Sequence, residues 1–542
     1  MSEKTASFVK GAAILAIAGI IGKIIGAFFR IPLTNTIGLR GIANYNMAYP
    51  IYSALLVISS AGLPTAIAKM VSERIAVNDY RGAHDTFKTA FRILALIGIC
   101  TTLIMLLGSR FLAGLLNVDT AWMSIAAISP SLFFVSLISA YRGYFQGMQL
   151  MSPTAASQLV EQLGKLIMGL FLARQLLPYG VEYGAAGALI GVTLSEIAAL
   201  VMLGGVYARK RKYIFNRIEA SDTRRQRRYS GGTGKSILKQ LAKIAIPITV
   251  GAAIMPLVQL IDSAIVVNAL TGIGYSAKDA ESLFGLLTGC VNTLVNLPAV
   301  LSLALAMSIV PAISASRTLG DTAGVRSKAA TGLKIAILVG LPCAAGLFVL
   351  STPVLKLLYT DLTVQELATA SGLMSVMSLA VVFLTLVQAM TGVLQGAGHV
   401  LRPVVNLAIG AVVKIVLSIV LIRMPGVNIY GAAIGTTACY GVAALLDVVY
   451  AVRKTGIKFS VADYIIKPVL SAGVMAAIAY FIFPIAEARL GNTIATFAVI
   501  AVAAVVYFAV VLLSGALKKE DLEMIPGGNR LIKLFSRAGI LK

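Results

Sequence analysis

The sequence predicts an all-α membrane protein of about 14 transmembrane helices, built as two parallel-repeat six-helix lobes plus a C-terminal helix pair. Three observations predict it. First, 58% of the 542 residues are hydrophobic and 13% are charged, with a mean hydropathy of +0.89; a soluble domain carries about 25% charged residues. Second, apolar runs close to the ~20 residues that cross a bilayer recur along the whole chain. Third, the two halves of the chain repeat short motifs at nearly constant spacing.

The runs cover 8–29, 43–65, 87–107, 122–145, 154–177, 183–207, 241–269, 283–309, 333–350, 367–394, 403–424, 430–452, 464–485 and 493–513. No small-residue cleavage site follows the first, so it reads as a retained span rather than a signal peptide. The net charge is +24, and it is not spread evenly. Alternate loops are rich in cations: Lys69, Arg74, Arg81 and Lys88; Arg142; 209–243; Arg317, Arg326, Lys328 and Lys334; Arg402; Arg453, Lys454, Lys458 and Lys467. The intervening loops hold few, such as Arg40, Arg110, Arg174, Lys278, Lys356, Arg423 and Arg489. Cation-rich loops face the cytoplasm, which puts both termini of a multi-pass protein there; the resemblance described below implies the bacterial cytoplasmic membrane.

The longest loop carries Arg209-Lys-Arg-Lys212 and Arg224-Arg-Gln-Arg-Arg228. Spans flank it on both sides, so it reads as a tether against anionic lipid and not as a nucleic-acid site. It separates a first lobe (1–207) from a second (241–455), with the linker at 208–240. Extra helices follow at 456–515. The tail, 516–542, has Leu531, Ile532, Leu534 and Phe535 among Arg530, Lys533 and Arg537, the pattern of an amphipathic cytoplasmic helix.

The lobes are a duplication. Gly143-Tyr-Phe-Gln146-Gly147 recurs as Gly392-Val-Leu-Gln395-Gly396, and Lys165 as Lys414, both 249 residues on. Gly187-Ala-Leu-Ile-Gly191 recurs as Gly431-Ala-Ala-Ile-Gly435. Six helices per repeat is an even number, so the repeats share one orientation, as in parallel-repeat transporters.

Enzyme chemistry finds no footing. Cys100, Cys290, Cys343 and Cys439 sit in apolar runs without metal spacing, and His84 and His399 are the only histidines. Gly231-Gly-Thr-Gly-Lys-Ser236 ends like a phosphate loop, but Tyr229 stands where its first glycine belongs and no strand precedes it. No metal and no cofactor is expected.

Ionisable groups inside spans cost several kcal/mol and need a partner or a task. Lys165 has Glu161 one turn away and Glu196 at a similar depth, and is expected to be neutralised by one of them. Lys414 has only Asp447 nearby and is the better functional candidate of the pair. Lys23 and Arg30 lie two turns apart on one face of the first span, where no acid accompanies them. Asp262, at the level of Arg30, is a candidate gate partner. A cationic face in a cleft suits a phosphate. Asn44, Asn46, Gln259, Asn292 and Asn296 add donors suited to sugar hydroxyls or amides.

These motifs resemble a known family. Gly22-Lys-Ile-Ile-Gly-Ala-Phe-Phe-Arg30-Ile-Pro32-Leu-Thr, Gly41-Ile-Ala-Asn-Tyr-Asn-Met-Ala-Tyr49-Pro50-Ile-Tyr52, Gly62-Leu-Pro64 and the Gln-Gly pairs at Gln146 and Gln395 are similar to the polysaccharide-transporter branch of the multidrug/oligosaccharidyl-lipid/polysaccharide exporter superfamily. The nearest likeness is to its SpoVB-like and MurJ-like members. The resemblance implies a flippase for undecaprenyl-pyrophosphate-linked glycan, lipid II in the MurJ-like members, with Lys23 and Arg30 facing the pyrophosphate. It also implies a lipid-tail groove in the last two helices. Two departures stand out. No arginine occurs within 43–65 or 283–309, where Gram-negative members carry them. Asn406 and Thr436 or Thr437 match part of a coupling-cation site reported for some relatives, but Gly410 stands where a carboxylate would help. The expected partners are a lipid-linked oligosaccharide, the bilayer, a coupling cation and cell-wall synthesis enzymes. The alternatives are a cation-coupled multidrug exporter, a flippase for another wall or capsular precursor, and a non-transporting scaffold.

Overall fold

A chain crossing hydrocarbon must satisfy its backbone hydrogen bonds internally, which leaves helices or closed barrels. The computed structural model, which describes residues 3–60, 62–219 and 234–517, takes the first course: among the described residues there is no strand. The helices are α1 (Glu3–Ser60), α2 (Leu63–Ala76), α3 (Tyr80–Leu107), α4 (Ser109–Leu115), α5 (Ala121–Ile128), α6 (Ser131–Gly147), α7 (Met151–Leu176), α8 (Val181–Glu219), α9 (Gly234–Gly272), α10 (Ala277–Gly285), α11 (Asn292–Thr318), α12 (Thr322–Val349), α13 (Ser351–Leu358), α14 (Val364–Gly396), α15 (Arg402–Ile422), α16 (Tyr430–Thr455) and α17 (Lys467–Leu513). Short π-helical turns, Leu286–Val291 and Ala462–Ile466, precede α11 and α17.

Each of the fourteen apolar runs is mostly helical in its described part, with a turn at Ser129 and Pro130 interrupting the 122–145 run. Ten helices among the described residues are long and apolar enough to cross a membrane. Two of them, α1 and α17, each carry two runs. At about 1.5 Å per residue, the 58 residues of α1 far exceed the ~30 Å of hydrocarbon, and the helix is kinked at Gly38 (φ 69°). Gly491 (φ 72°) kinks α17 in the same way. Positive φ costs glycine little, and that is why both breaks fall on it. The two runs not among the ten are α7, which carries Glu161 and Lys165, and α9, whose apolar part is Pro256–Gly272. The protein is thus a multi-pass, all-helical membrane protein.

Helix covers part of the stretch between the sixth and seventh apolar runs. Arg209 to Lys212 continue α8, which runs to Glu219, and α9 already begins at Gly234. Arginine and lysine are good helix formers, so a charged extension of a span stays helical. The second arginine cluster and the expected tail helix lie outside the described residues.

Two compact units make up the chain, Met1–Gly285 and Leu286–Lys542. In the first, α7 and α8 pack along each other, and α6 packs on α2 and α3. The kink at Gly38 brings the turn against α10: the Gly285 backbone backs onto the carbonyl of Leu39 so closely that a Cβ could not fit. Arg40 reaches the buried Glu281 at 3.5 Å, and Asn117 hydrogen-bonds Asn268. In the second unit, α15 and α16 pack along each other, α14 packs on α11 and α12, and α17 packs on α12. Tyr359 donates to the Gly289 carbonyl at 3.2 Å, one of the π-turn carbonyls that the wider helix leaves without a regular partner.

Candidate functional site

The first half of α1 presents three faces. Gly22 and Gly26 lie against Gln162 of α7, and Phe29 and Leu33 beyond them are fully buried. Ile17, Ile21, Ile24 and Phe28 are exposed, an apolar stripe suited to acyl chains. At about 100° per residue that stripe centres roughly 130° from Lys23, whereas Arg30 falls within about 20° of it. Lys23 is exposed and Arg30 half-buried, and neither side chain is in an ion pair among the described residues. Beside them, a Cβ at Gly19 would meet nothing within 4 Å. The cationic face is therefore separate from both the packed face and the apolar stripe, and it borders open space.

Lys165 is where the expected pairing is corrected. Its ammonium donates to the Tyr49 hydroxyl at 3.2 Å and lies 5.1 Å from the ring centroids of both Phe29 and Tyr49, with Tyr45 stacked on Tyr49 at 5.6 Å. Glu161 is already engaged elsewhere. Arg142 on α6 donates to it at 2.9 Å and to Ser157 Oγ at 2.9 Å. Glu196 on α8 is buried, and its Oε2 has no hydrogen-bond partner. Lys165 is thus held by aromatic rings, which offer a buried cation a negative face without a second desolvated ion.

Arg142, counted above among the cytoplasmic loop charges, sits on α6 inside the helical bundle. Its place within the 122–145 run was the available signal. The tight turn over Met148–Leu150, which turns α6 back along α7, supplies the rest.

The other singled-out residues are scattered. Asn44 is buried and accepts from Thr120 at 3.1 Å, tying α1 to the start of α5. Asn46 is buried in the same helix. Gln259 is exposed and Asp262 half-buried on α9. In the second unit Asn292 is half-buried, and the exposed Asn296 donates back to the Asn292 carbonyl at 2.6 Å. Asn406 donates to Asp447 at 2.7 Å. The carboxylate expected to serve Lys414 is therefore engaged by Asn406, with its Oδ2 unpartnered; Lys414 itself is half-buried on α15. Cys100 is exposed rather than buried.

Comparison with known proteins now decides the family. Residues 8–317, more than half of the chain, match the model of a family described as polysaccharide biosynthesis protein. The chain belongs to this family. Residues 287–420 also match the MatE family model. Stage V sporulation protein B of Bacillus subtilis (strain 168) is 28% identical over 98% of this chain and 100% of its own length. Lipid II flippase MurJ of the same organism is 27% identical over 85% of each chain. A solved structure of lipid II flippase MurJ in an inward closed conformation superposes with a TM-score of 0.68 at 16% identity, over 92% of this chain and 98% of that one. At that identity the likeness concerns the fold. The polysaccharide biosynthesis family is thus represented here by a MurJ-like and MATE-like helical architecture.

Proposed function

We propose that this protein is a flippase that carries a polyprenyl-diphosphate-linked glycan across the bacterial cytoplasmic membrane, with lipid II as cargo and both termini in the cytoplasm. The observation that carries the reading is the α1 face of Lys23 and Arg30, set apart from the lipid-suited stripe and open to space. Guanidinium and ammonium groups without a carboxylate partner suit a diphosphate. Lys165 adds positive charge behind Arg30. Exposing that face alternately to the two leaflets, as the duplicated six-helix lobes would permit, moves the head group without breaking a bond. Asp262, Lys414 and Asn406 are the proposed gate and coupling residues.

The MatE match supports a second reading, export of cationic drugs, but a cationic face repels such cargo. The test is reconstitution into liposomes with fluorescent polyprenyl-diphosphate lipids bearing different glycans. Flipping is expected for lipid II, with at least a tenfold loss in Lys23→Ala/Arg30→Ala, about 1.4 kcal/mol. Unchanged flipping in the double variant would sink the site assignment, and ethidium transport without lipid flipping would sink the function.

A further inference from the structure

We propose that the end of α15 carrying Arg402 is a binding site for an anionic phospholipid, with the phosphate headgroup among the cations there and the acyl chains laid along α15. Placing the site in the inner leaflet rests on the orientation proposed above; the site itself does not.

The second unit gathers cations around one ring. The Arg402 guanidinium lies 5.1 Å and the Lys454 ammonium 5.8 Å from the ring centroid of Tyr450 on α16. The His399 imidazole meets the same ring edge-on at 5.3 Å, and its Nδ1 has no hydrogen-bond partner. Arg317, near the end of α11, packs its guanidinium against Gly398 (φ 85°), where it leaves no room for a Cβ. Among the described residues, Arg317, Arg402 and Lys454 are in no ion pair. The one carboxylate of α16, Asp447, is fully buried and accepts from Asn406. An aromatic face attracts cations but does not neutralise them. Arg402 and Lys454 are exposed, so an anion can reach both. A guanidinium fork and an ammonium are donors that phosphate oxygens accept from strongly.

The surface beside the cluster makes the ligand a lipid. Leu401, Val405, Ile409, Val412, Val416 and Val420 are exposed along α15. At about 100° per residue, Arg402 lies within about 80° of each of the last five. The cation therefore stands at the head of a lengthwise apolar stripe. From Val405 to Val420 that stripe runs about 22 Å, more than one leaflet's share of the ~30 Å hydrocarbon. Free phosphate would use the cations alone; a phospholipid uses the cations and the stripe.

The first repeat shows that the turn does not require the cluster. Gln149 and Gly398 both have positive φ in the turn that leads into α7 or α15. Where the motif spacing places His399, Arg402 and Tyr450, the first repeat has Leu150, Pro153 and Val206. Only Lys454 has a cationic counterpart, Lys210.

The test uses the full chain, delipidated in detergent and titrated with phosphatidylglycerol, with bound lipid counted by native mass spectrometry. Wild type is expected to hold one phosphatidylglycerol about tenfold more tightly than phosphatidylcholine with the same chains. Arg402→Gln/Lys454→Gln is expected to lose about tenfold in phosphatidylglycerol affinity, and Arg209→Gln/Lys210→Gln, which removes equal charge from the first repeat, less than about twofold. Tyr450→Ala removes the ring that gathers the cations and is expected to weaken binding about threefold, while Tyr450→Phe keeps the ring and the affinity. If the double variant does not fold, Arg402→Gln alone decides, with an expected loss of about fivefold. Equal losses in the two double variants would mean general surface charge and overturn the site. Displacement of the lipid by millimolar inorganic phosphate overturns the lipid assignment. Farnesyl diphosphate binding more tightly than phosphatidylglycerol, with the same loss in Arg402→Gln/Lys454→Gln, would give the site to the proposed cargo and overturn the phospholipid. Failure of the flippase reading leaves the site standing, because phosphatidylglycerol binding is read without transport.

Discussion

The two repeats share a packing skeleton and differ in what they bury. A Cβ on Gly143 would come within 2.8 Å of the Pro64 carbonyl, and one on Gly147 within 2.6 Å of Val71 Cβ, where α6 crosses α2. A Cβ on the equivalent Gly392 would come within 3.0 Å of Ala306, and one on Gly396 within 2.9 Å of Ile313, where α14 crosses α11. A Cβ on Gly187 would come within 2.6 Å of the Leu172 carbonyl, and one on Gly431 within 2.6 Å of the Ile422 amide. Between these matched crossings the first repeat holds Arg142, Glu161, Glu196 and an aromatic cage around Lys165. The second keeps only the lysine, Lys414, and buries the neutral-to-acid pair Asn406–Asp447 instead. No aromatic residue occurs in α9, the helix that opens the second repeat, whereas α1 supplies Phe29, Tyr45 and Tyr49. The glycine contacts match between the two halves, and the buried charge differs.

The sharpest way to break this comparison is at Arg142. Arg142→Met leaves Glu161 and Glu196 without a contacting cation, and removing one partner of a buried pair costs about 3–5 kcal/mol. Partial exposure of the pair places the expected loss at the low end of that range. Thr391→Met at the equivalent position meets no carboxylate and is expected to cost less than about 1.5 kcal/mol. Thermal unfolding in detergent measures both, and equal losses would mean that the charge network contributes nothing particular to the first repeat. Adding Glu161→Gln to Arg142→Met should recover part of the loss.

This contrast marks where the sequence was legible. The apolar runs follow from composition along the chain, and they are found as helices; the Lys23–Arg30 spacing follows from the period of one helix. The kink at Gly38 is foreshadowed by the apolar runs on either side of it, since no single span could hold them both. The charge network was missed because its parts come from α6, α7 and α8, and a separation of 19 residues between Arg142 and Glu161 has no periodic signature. The cage around Lys165 was missed for a related reason: Tyr49 is 116 residues away, and only close packing of α1 on α7 joins them. Counting Lys165 and Glu161 as an intrahelical pair was sound for an isolated helix and failed because Arg142, with two donor contacts to α7, is the stronger competitor for the carboxylate.

A smaller effect should appear at the shared skeleton. Gly143→Ala and Gly392→Ala each force a methyl group against neighbouring backbone, and overpacking of this kind costs about 1–3 kcal/mol. The two losses should agree within about 1 kcal/mol, measured as above. A large inequality would mean that the crossings are not equivalent and would undo the matched half of the comparison.

The smallest expected difference lies at the caps. Asp79 opens α3 and accepts from the Gly82 amide at 2.8 Å; Asp321 opens α12 and accepts from the Gly324 amide at 2.8 Å. Both follow a residue with positive φ, Asn78 and Gly320, so the two helices open on similar turns. Losing such a cap costs about 1 kcal/mol. Only Asp79 is also buried and in contact with an arginine, Arg74 at 3.1 Å; Asp321 is exposed. Asp79→Asn keeps a capping oxygen and removes the charge. It is therefore expected to be destabilising by about 0.5–1 kcal/mol, while Asp321→Asn stays within about 0.5 kcal/mol of wild type. If the two asparagine variants unfold at the same temperature, the Arg74 contact adds nothing and the repeats are equivalent at their caps as well as at their glycines. If only Asp79→Asn is destabilised, the first half again stabilises with buried charge a feature that the second builds with an exposed capping side chain.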